Sequence, residues 1–200
     1  MSVRRRSFAR DLVPIFTAAA VVLVARSSFA DHYRVPSGSM EPTVQIDDHI
    51  CVNKLAYGLR VPATDRYLVL GAQPARGDVV VLTSPRDGEV LLKRVVAVPG
   101  DVVEVSEGRV RIGGVEEPVR VEDGGVFEDL DGHSHPVRLD DGGGPDFGPA
   151  VVPANRFLVL GDNRGNSADG RIFGWVERSA ILGRAEAVCA RGGLPTWKSL

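Results

Sequence analysis

From Val44 onward the chain breaks into short valine-rich runs separated by turn residues, and this punctuation limits the fold more than any other feature. Asp47-Asp48-His49 is a polar turn leading into the run Ile50-Cys51-Val52, and Gly77-Asp78 precedes Val79-Val80-Val81-Leu82, which Ser84-Pro85 ends. Asp87-Gly88, between that run and Val90 to Val98, is a hairpin signal, because tight two-residue turns need the positive φ that Gly and Asp tolerate. Pro99-Gly100-Asp101 closes the second run, and a Glu107-Gly108 turn joins strands expected near 102–105 and 109–112. Arg156 to Leu160 and Ala180 to Ala190 read as later strands. With 23 glycines and 13 prolines in 200 residues, the composition favours the same answer, a mostly β fold.

Residues 113–154 are looser and richer in acids, glycine and proline, and read as a peripheral or inserted region with little chemistry. His133 and His135 lie there without a third ligand in view, so a solvated loop is expected rather than a metal site. Cys51 and Cys189 are far apart in sequence and fit no metal-ligand spacing; buried free thiols are the simpler expectation, and a disulfide is open only in an oxidising compartment. A net charge of -2 argues against nucleic acid as the main partner.

The N-terminus is of another kind. Arg4, Arg5, Arg6 and Arg10 precede an uncharged run from Leu12 to Ala25. As a helix, that run spans roughly 21 Å, short of a hydrocarbon core of about 30 Å. Extending it through Arg26 to Ala30 nearly suffices if the arginine snorkels to the interface. A cleavable signal peptide ending at Ser28-Phe29-Ala30 and a buried core helix are the other readings. The expected organisation is a basic cytoplasmic segment at 1–11, one transmembrane anchor at 12–30 and an extracytoplasmic β domain at 31–200.

Three stretches carry chemistry. Val35-Pro36-Ser37-Gly38-Ser39-Met40-Glu41-Pro42-Thr43 sits at the junction of anchor and β domain, with Gly38 permitting a tight turn before Ser39. A serine so placed can be a nucleophile or plain linker, depending on whether a base is supplied. In Leu91-Leu92-Lys93-Arg94-Val95-Val96-Ala97-Val98, side chains alternate between faces, so one of the two cations must lie against apolar neighbours. Burial lowers a lysine pKa, which arginine does not allow, so Lys93 could take the proton of Ser39. The plain alternative is a lysine reaching solvent from an edge strand. Gly161-Asp162-Asn163-Arg164-Gly165-Asn166-Ser167-Ala168-Asp169-Gly170-Arg171 follows a strand; Arg164 stands where a calcium ligand would be needed, and no bidentate glutamate follows. A structured loop is expected instead, with Asp169 and Arg171 paired and Ser167 available to orient an amine.

These stretches, in this order and with Gly77-Asp78-Val79-Val80 between the first two, resemble the boxes of bacterial type I signal peptidases over about residues 10 to 188. The resemblance implies a signal-peptidase-like antiparallel β catalytic domain behind one or two membrane anchors. It also implies Ser39 as nucleophile and Lys93 as general base, with Ser37 in the oxyanion hole beside the Ser39 backbone N–H. Ser167 would orient the lysine, Asp169 and Arg171 would form a supporting pair, and Val35 and Leu92 would line shallow pockets for small side chains. No metal or organic cofactor is called for. The implied partners are preprotein signal peptides, the lipid bilayer and, in proximity, the secretion machinery, at a single-pass site in the cytoplasmic membrane. The compact 113–154 region and the wide cysteine spacing depart from the pattern without touching the serine–lysine pair. A specialised pilus or conjugation peptidase, a self-cleaving repressor and a membrane-tethered domain that only binds peptides are the rival readings. The repressor would need a DNA-binding domain where this chain has its apolar segment, and the binder has no use for Lys93 on an apolar face.

Overall fold

The structure, a computed structural model, describes Pro14, residues 30–60 and residues 67–200. The expected anchor at 12–30 lies outside the described residues apart from Pro14 and Ala30, and among the described residues no helix is long and apolar enough to cross a membrane. The chain runs through β1 (Ala30–Arg34), β2 (His49–Asn53), β3 (Gly58–Arg60), β4 (Tyr67–Leu70), β5 (Val79–Thr83), β6 (Val90–Ala97), β7 (Val102–Ser106) and β8 (Arg109–Ile112). It continues through β9 (Val115–Glu116), β10 (Val119–Glu122), β11 (Gly125–Leu130), β12 (His133–Val137), β13 (Phe147–Val151) and β14 (Arg156–Leu160). One helical turn, α1 (Gly170–Phe173), precedes β15 (Val176–Glu177), β16 (Ile181–Arg191) and β17 (Leu194–Ser199).

The main sheet has the order β1-β2-β16-β5-β6-β14-β15, with β17 added along β16. Its ladders are antiparallel. The apolar runs 79–82 of β5, 95–97 of β6 and 157–160 of β14 are explained by burial on both faces. Val79 and Val81 point into a cluster with Val35, Met40, Val44, Ile50 and Val52. Val80, Leu82, Val95, Phe157 and Val159 point into a second, with Tyr57 and Ile181. Val96, Leu158 and Leu160 join a third with Val103, Val105, Leu130 and Val152. The hairpins read from Asp87-Gly88 and Glu107-Gly108 are present, and Glu107 and Gly108 both adopt positive φ, 52° and 75°, as a two-residue turn requires.

Residues 113–154 are not loose. They form β9 to β13, a three-stranded sheet β10-β11-β12 and the outer strands of a four-stranded one, β13-β7-β8-β9. His133 is exposed as expected, but His135 is buried, its Nε2 lying 3.3 Å from Glu128. The polar composition misleads here because Glu128, His135 and Arg164 bury together: Arg164 donates to both Glu128 carboxylate oxygens and to the Gly108 carbonyl. Burial by itself would push the Glu128 carboxyl up; Arg164 reverses the sign and holds it near 2. The cysteines are half-buried rather than buried.

Candidate active site

Ser39 is carried by a 3₁₀ turn, Gly38–Met40, between β1 and β2. Met40 plugs this turn into the first apolar cluster and is 1% exposed. The Glu41 N–H donates to the Gly38 carbonyl at 3.1 Å and the Val44 N–H to that of Met40 at 3.0 Å, so the turn closes on itself. Gly38 does not adopt the left-handed backbone that its type suggests; its value is space, since a Cβ there would stand 3.2 Å from the Glu41 carboxyl.

The loop that follows β14, residues 161–169, holds the turn from the other side. The Asn163 N–H donates to the Ser39 carbonyl at 3.1 Å, and Asn163 Nδ2 donates to the Gly38 carbonyl at 3.1 Å. Arg138, just past β12, reaches both parts. Its guanidinium meets Glu41 at 3.0 Å, while its backbone N–H donates to the Asp162 carbonyl and its carbonyl accepts from the Arg164 N–H. Arg138 thus braces the Ser39 turn, a role that the composition of residues 113–154 does not disclose.

Lys93 lies in β6 opposite Val80 of β5 and is 2% exposed. Its Nζ stands 2.6 Å from Ser39 Oγ. Burial pushes the ammonium down to about 8 against the opposing pull of Asp169 and Asp162. The expectation that one of Lys93 and Arg94 would be buried is exceeded: both are, on opposite faces. Arg94 stays charged because Asp162 takes it in a two-point grip, Nε to Oδ1 at 2.9 Å and Nη2 to Oδ2 at 2.8 Å, with Thr43 Oγ1 donating to Oδ2 at 2.5 Å. Burial would raise the Asp162 carboxyl, but Arg94 outweighs it and the carboxyl falls below its usual range. Lys93 has no such partner, which is why it alone yields.

Ser37 is exposed, with its Oγ 3.5 Å from Ser39 Oγ. Asp169 and Arg171 form a wholly buried pair at 2.8 Å, and Asp169 also accepts from the Gly161 and Arg171 N–H groups. Ser167 comes to the site but not to the lysine: its Oγ is buried with no hydrogen-bond partner among the described residues. It packs on Gly161, where a Cβ would collide with it at 2.3 Å and with the Ser39 carbonyl at 2.4 Å.

Beside the pair lies an apolar pocket of about 120 Å³. Val35 and Leu92 line it as expected, with Ile50 and Val81 among its other walls. Tyr33 and Arg34 of β1 border it on one side and Val90 and Leu91 of β6 on the other. Among the described residues, β1 is hydrogen-bonded along one edge only, to β2, and the first half of β6 only to β5, because β14 pairs with Arg94, Val95 and Ala97. Two strand edges with spare N–H and C=O groups therefore flank the pocket. The described residues contain no group of three metal-ligating side chains.

The family model described as "Signal peptidase, peptidase S26" matches residues 9–190. The chain is 36% identical over 196 residues to signal peptidase I of Pseudomonas fluorescens, an alignment covering 86% of this chain and 69% of that protein. It is 35% identical over 196 residues to signal peptidase I of Pseudomonas aeruginosa, with the same coverages of 86% and 69%. To signal peptidase I of Leptolyngbya laminosa it is 33% identical over 175 residues, covering 82% of this chain and 71% of that protein. The family match over most of the chain, joined to a serine and a buried lysine within 2.6 Å of each other, leads to one assignment: this chain belongs to the signal peptidase family, peptidase S26.

Proposed function

We propose that the protein is a membrane-bound serine endopeptidase that removes N-terminal signal peptides from exported preproteins, cutting after small residues by a serine–lysine mechanism. The observation that carries this reading is the 2.6 Å approach of Lys93 Nζ to Ser39 Oγ at the mouth of a small apolar pocket. A lysine held near 8 is neutral in an appreciable fraction of molecules at neutral pH, and in that form its lone pair accepts the Ser39 hydroxyl proton.

A substrate strand laid between the free edges of β1 and β6 would exchange backbone hydrogen bonds with them, leaving every second side chain to enter the pocket. Val35, Leu92, Ile50 and Val81 give the pocket apolar walls and a small volume, which favours small apolar residues before the cut. Ser39 Oγ attacks the scissile carbonyl while Lys93 takes the proton. The carbonyl oxygen, now an oxyanion, accepts from the Ser37 hydroxyl and the Ser39 backbone N–H; losing one such donor costs about 100- to 1,000-fold in rate. Lys93 then gives its proton to the leaving amine. Water, deprotonated by the same lysine, hydrolyses the acyl-enzyme. Asp169, paired with Arg171, acts as structural support, and Ser167 would turn toward the lysine once substrate fills the site.

Residues 12–30 are assigned to a membrane anchor with Arg4, Arg5, Arg6 and Arg10 on the cytoplasmic side, which sets the β domain on the outer face. The test is cleavage of a purified preprotein bearing an Ala-x-Ala site by wild type, Ser39→Ala and Lys93→Met. Cleavage by wild type alone, after the last alanine, is expected. Equal cleavage by all three overturns the serine–lysine pair, and no cleavage by a folded wild type favours a domain that binds peptides without cutting them.

A further inference from the structure

Cys51 and Cys189 belong neither to the catalytic pair nor to the pocket. In β2, Ile50 and Val52 face the buried cluster, so His49, Cys51 and Asn53 occupy the other face. In β16, Glu186 shares that outer face, where it accepts a hydrogen bond from Asn53 Nδ2 at 3.1 Å. Beyond it the ladder slips. Ala187 pairs with Cys51, Val188 with Ile50 and Ala190 with His49, which leaves Cys189 as the extra residue of a bulge. A bulge re-aims the side chain it carries, and Cys189 Sγ donates to the His49 carbonyl at 3.4 Å. There it also lies close enough to the other thiol to act on it, since Cys189 is among the causes that raise the Cys51 pKa.

Two half-buried thiols on adjacent, hydrogen-bonded strands, one of them re-aimed by a bulge to the His49 carbonyl two residues from the other, are placed for a cross-strand bond. We infer that Cys51 and Cys189 form an oxidisable pair that closes into a cross-strand disulfide tying β2 to β16. The oxidant is another disulfide, small or protein-borne. One cysteine attacks it as thiolate and releases half of it as a thiol; the second cysteine then displaces the other half, so two protons and two electrons pass from the pair to the oxidant. Burial, reinforced by the Cys189 thiol, pushes Cys51 up to about 11, which makes its thiolate scarce and closure slow at neutral pH.

The bond would lie behind the nucleophile's support. Two residues past Cys189, Arg191 grips Asp48 at 2.8 and 2.6 Å, and Asp48 anchors the segment between the Ser39 turn and β2 by accepting from the Gln45 N–H. Closing a loop that spans most of the chain constrains the unfolded state strongly, and a rise in Tm of about 5–15 °C is expected, with the cleavage rate unchanged. That such an oxidant is present where the protein works rests on the extracytoplasmic placement proposed above; the closure itself does not, so its test needs no peptidase activity.

Full-length protein in detergent is incubated with oxidised glutathione, then alkylated with iodoacetamide and mapped by mass spectrometry. The expected product has lost two hydrogens and both alkylatable thiols, and yields a Cys51–Cys189 linked peptide that reductant abolishes. Cys51→Ala and Cys189→Ala should each lose the Tm rise. Two thiols that stay alkylatable, stable glutathione adducts on either cysteine, or a bridge found only between two chains would each overturn the inference. A linked peptide in a protein without peptidase activity would instead count against the proposed function and leave the pair standing.

Discussion

Lys93→Met should abolish cleavage and at the same time make the protein more stable. Holding Lys93 near 8 instead of 10.5 means that its charged form is disfavoured in the fold by about 3 kcal/mol. The sign follows from proton counting. Between pH 8 and 10.5 the unfolded chain holds a proton that the folded chain has released, so stability rises with pH across that window; below 8 both states are protonated and the full penalty applies. Methionine fills a similar length without the charge, and the nearby carboxylates Asp162 and Asp169 keep Arg94 and Arg171 as partners. Urea unfolding at pH 7 should therefore show the variant more stable by about 1–3 kcal/mol, after allowance for the lost contact with Ser39. At pH 10.5 the advantage should nearly vanish. A variant less stable than wild type at pH 7, or a difference unchanged between pH 7 and 10.5, would refute the claim that burial holds this lysine down.

The same value governs rate: kcat/KM for a preprotein should climb about tenfold per pH unit up to roughly pH 8 and then level, and a flat profile from pH 5 to 8 would remove Lys93 as base. Arg138→Glu and Glu41→Arg should each lower kcat by about 10-fold or more with little change in KM, because their contact braces the Ser39 turn. The double exchange should recover most of the loss, and no recovery would mean that the contact is incidental. Leu92→Ala should widen the pocket and raise cleavage at Val-bearing relative to Ala-bearing sites by about 10-fold, measured by competition between two preproteins.

The strands and hairpins could be read directly, because Glu107-Gly108 states the backbone requirement of a two-residue turn and Gly88 that of the longer loop 84–89. Ser39 and Lys93 were legible for a different reason: a lysine in an apolar run is either strained or useful. What could not be read is who satisfies whom across the chain. Arg94 looks as misplaced as Lys93 until Asp162, 68 residues away, arrives to hold it. Glu128, His135 and Arg138 lie in a stretch whose acids and glycines suggest solvent, yet two of them are buried and the third ties Glu41 to the loop that follows β14. Composition reports average polarity, whereas burial of a charge depends on a partner that pairing brings from elsewhere. Cys189 is a similar case, since only a slip in the β16 ladder brings it to the His49 carbonyl of β2.

The two unpaired edges beside the pocket bear on what can be cut at all. Strands in a ladder sit about 4.8 Å apart, whereas an α-helix with its side chains is about 10 Å across. If the substrate lies between β1 and β6 as proposed, that groove would screen by backbone shape before any side chain is tested. A signal segment that leaves the bilayer as a helix must unravel for several residues around its cleavage point, and a folded domain close behind that point is held off. Resistance of a protein to cutting then depends on how readily its junction unwinds as well as on which small residues it carries, so a helix-breaking proline or glycine upstream of the cut should act as a licence for cleavage.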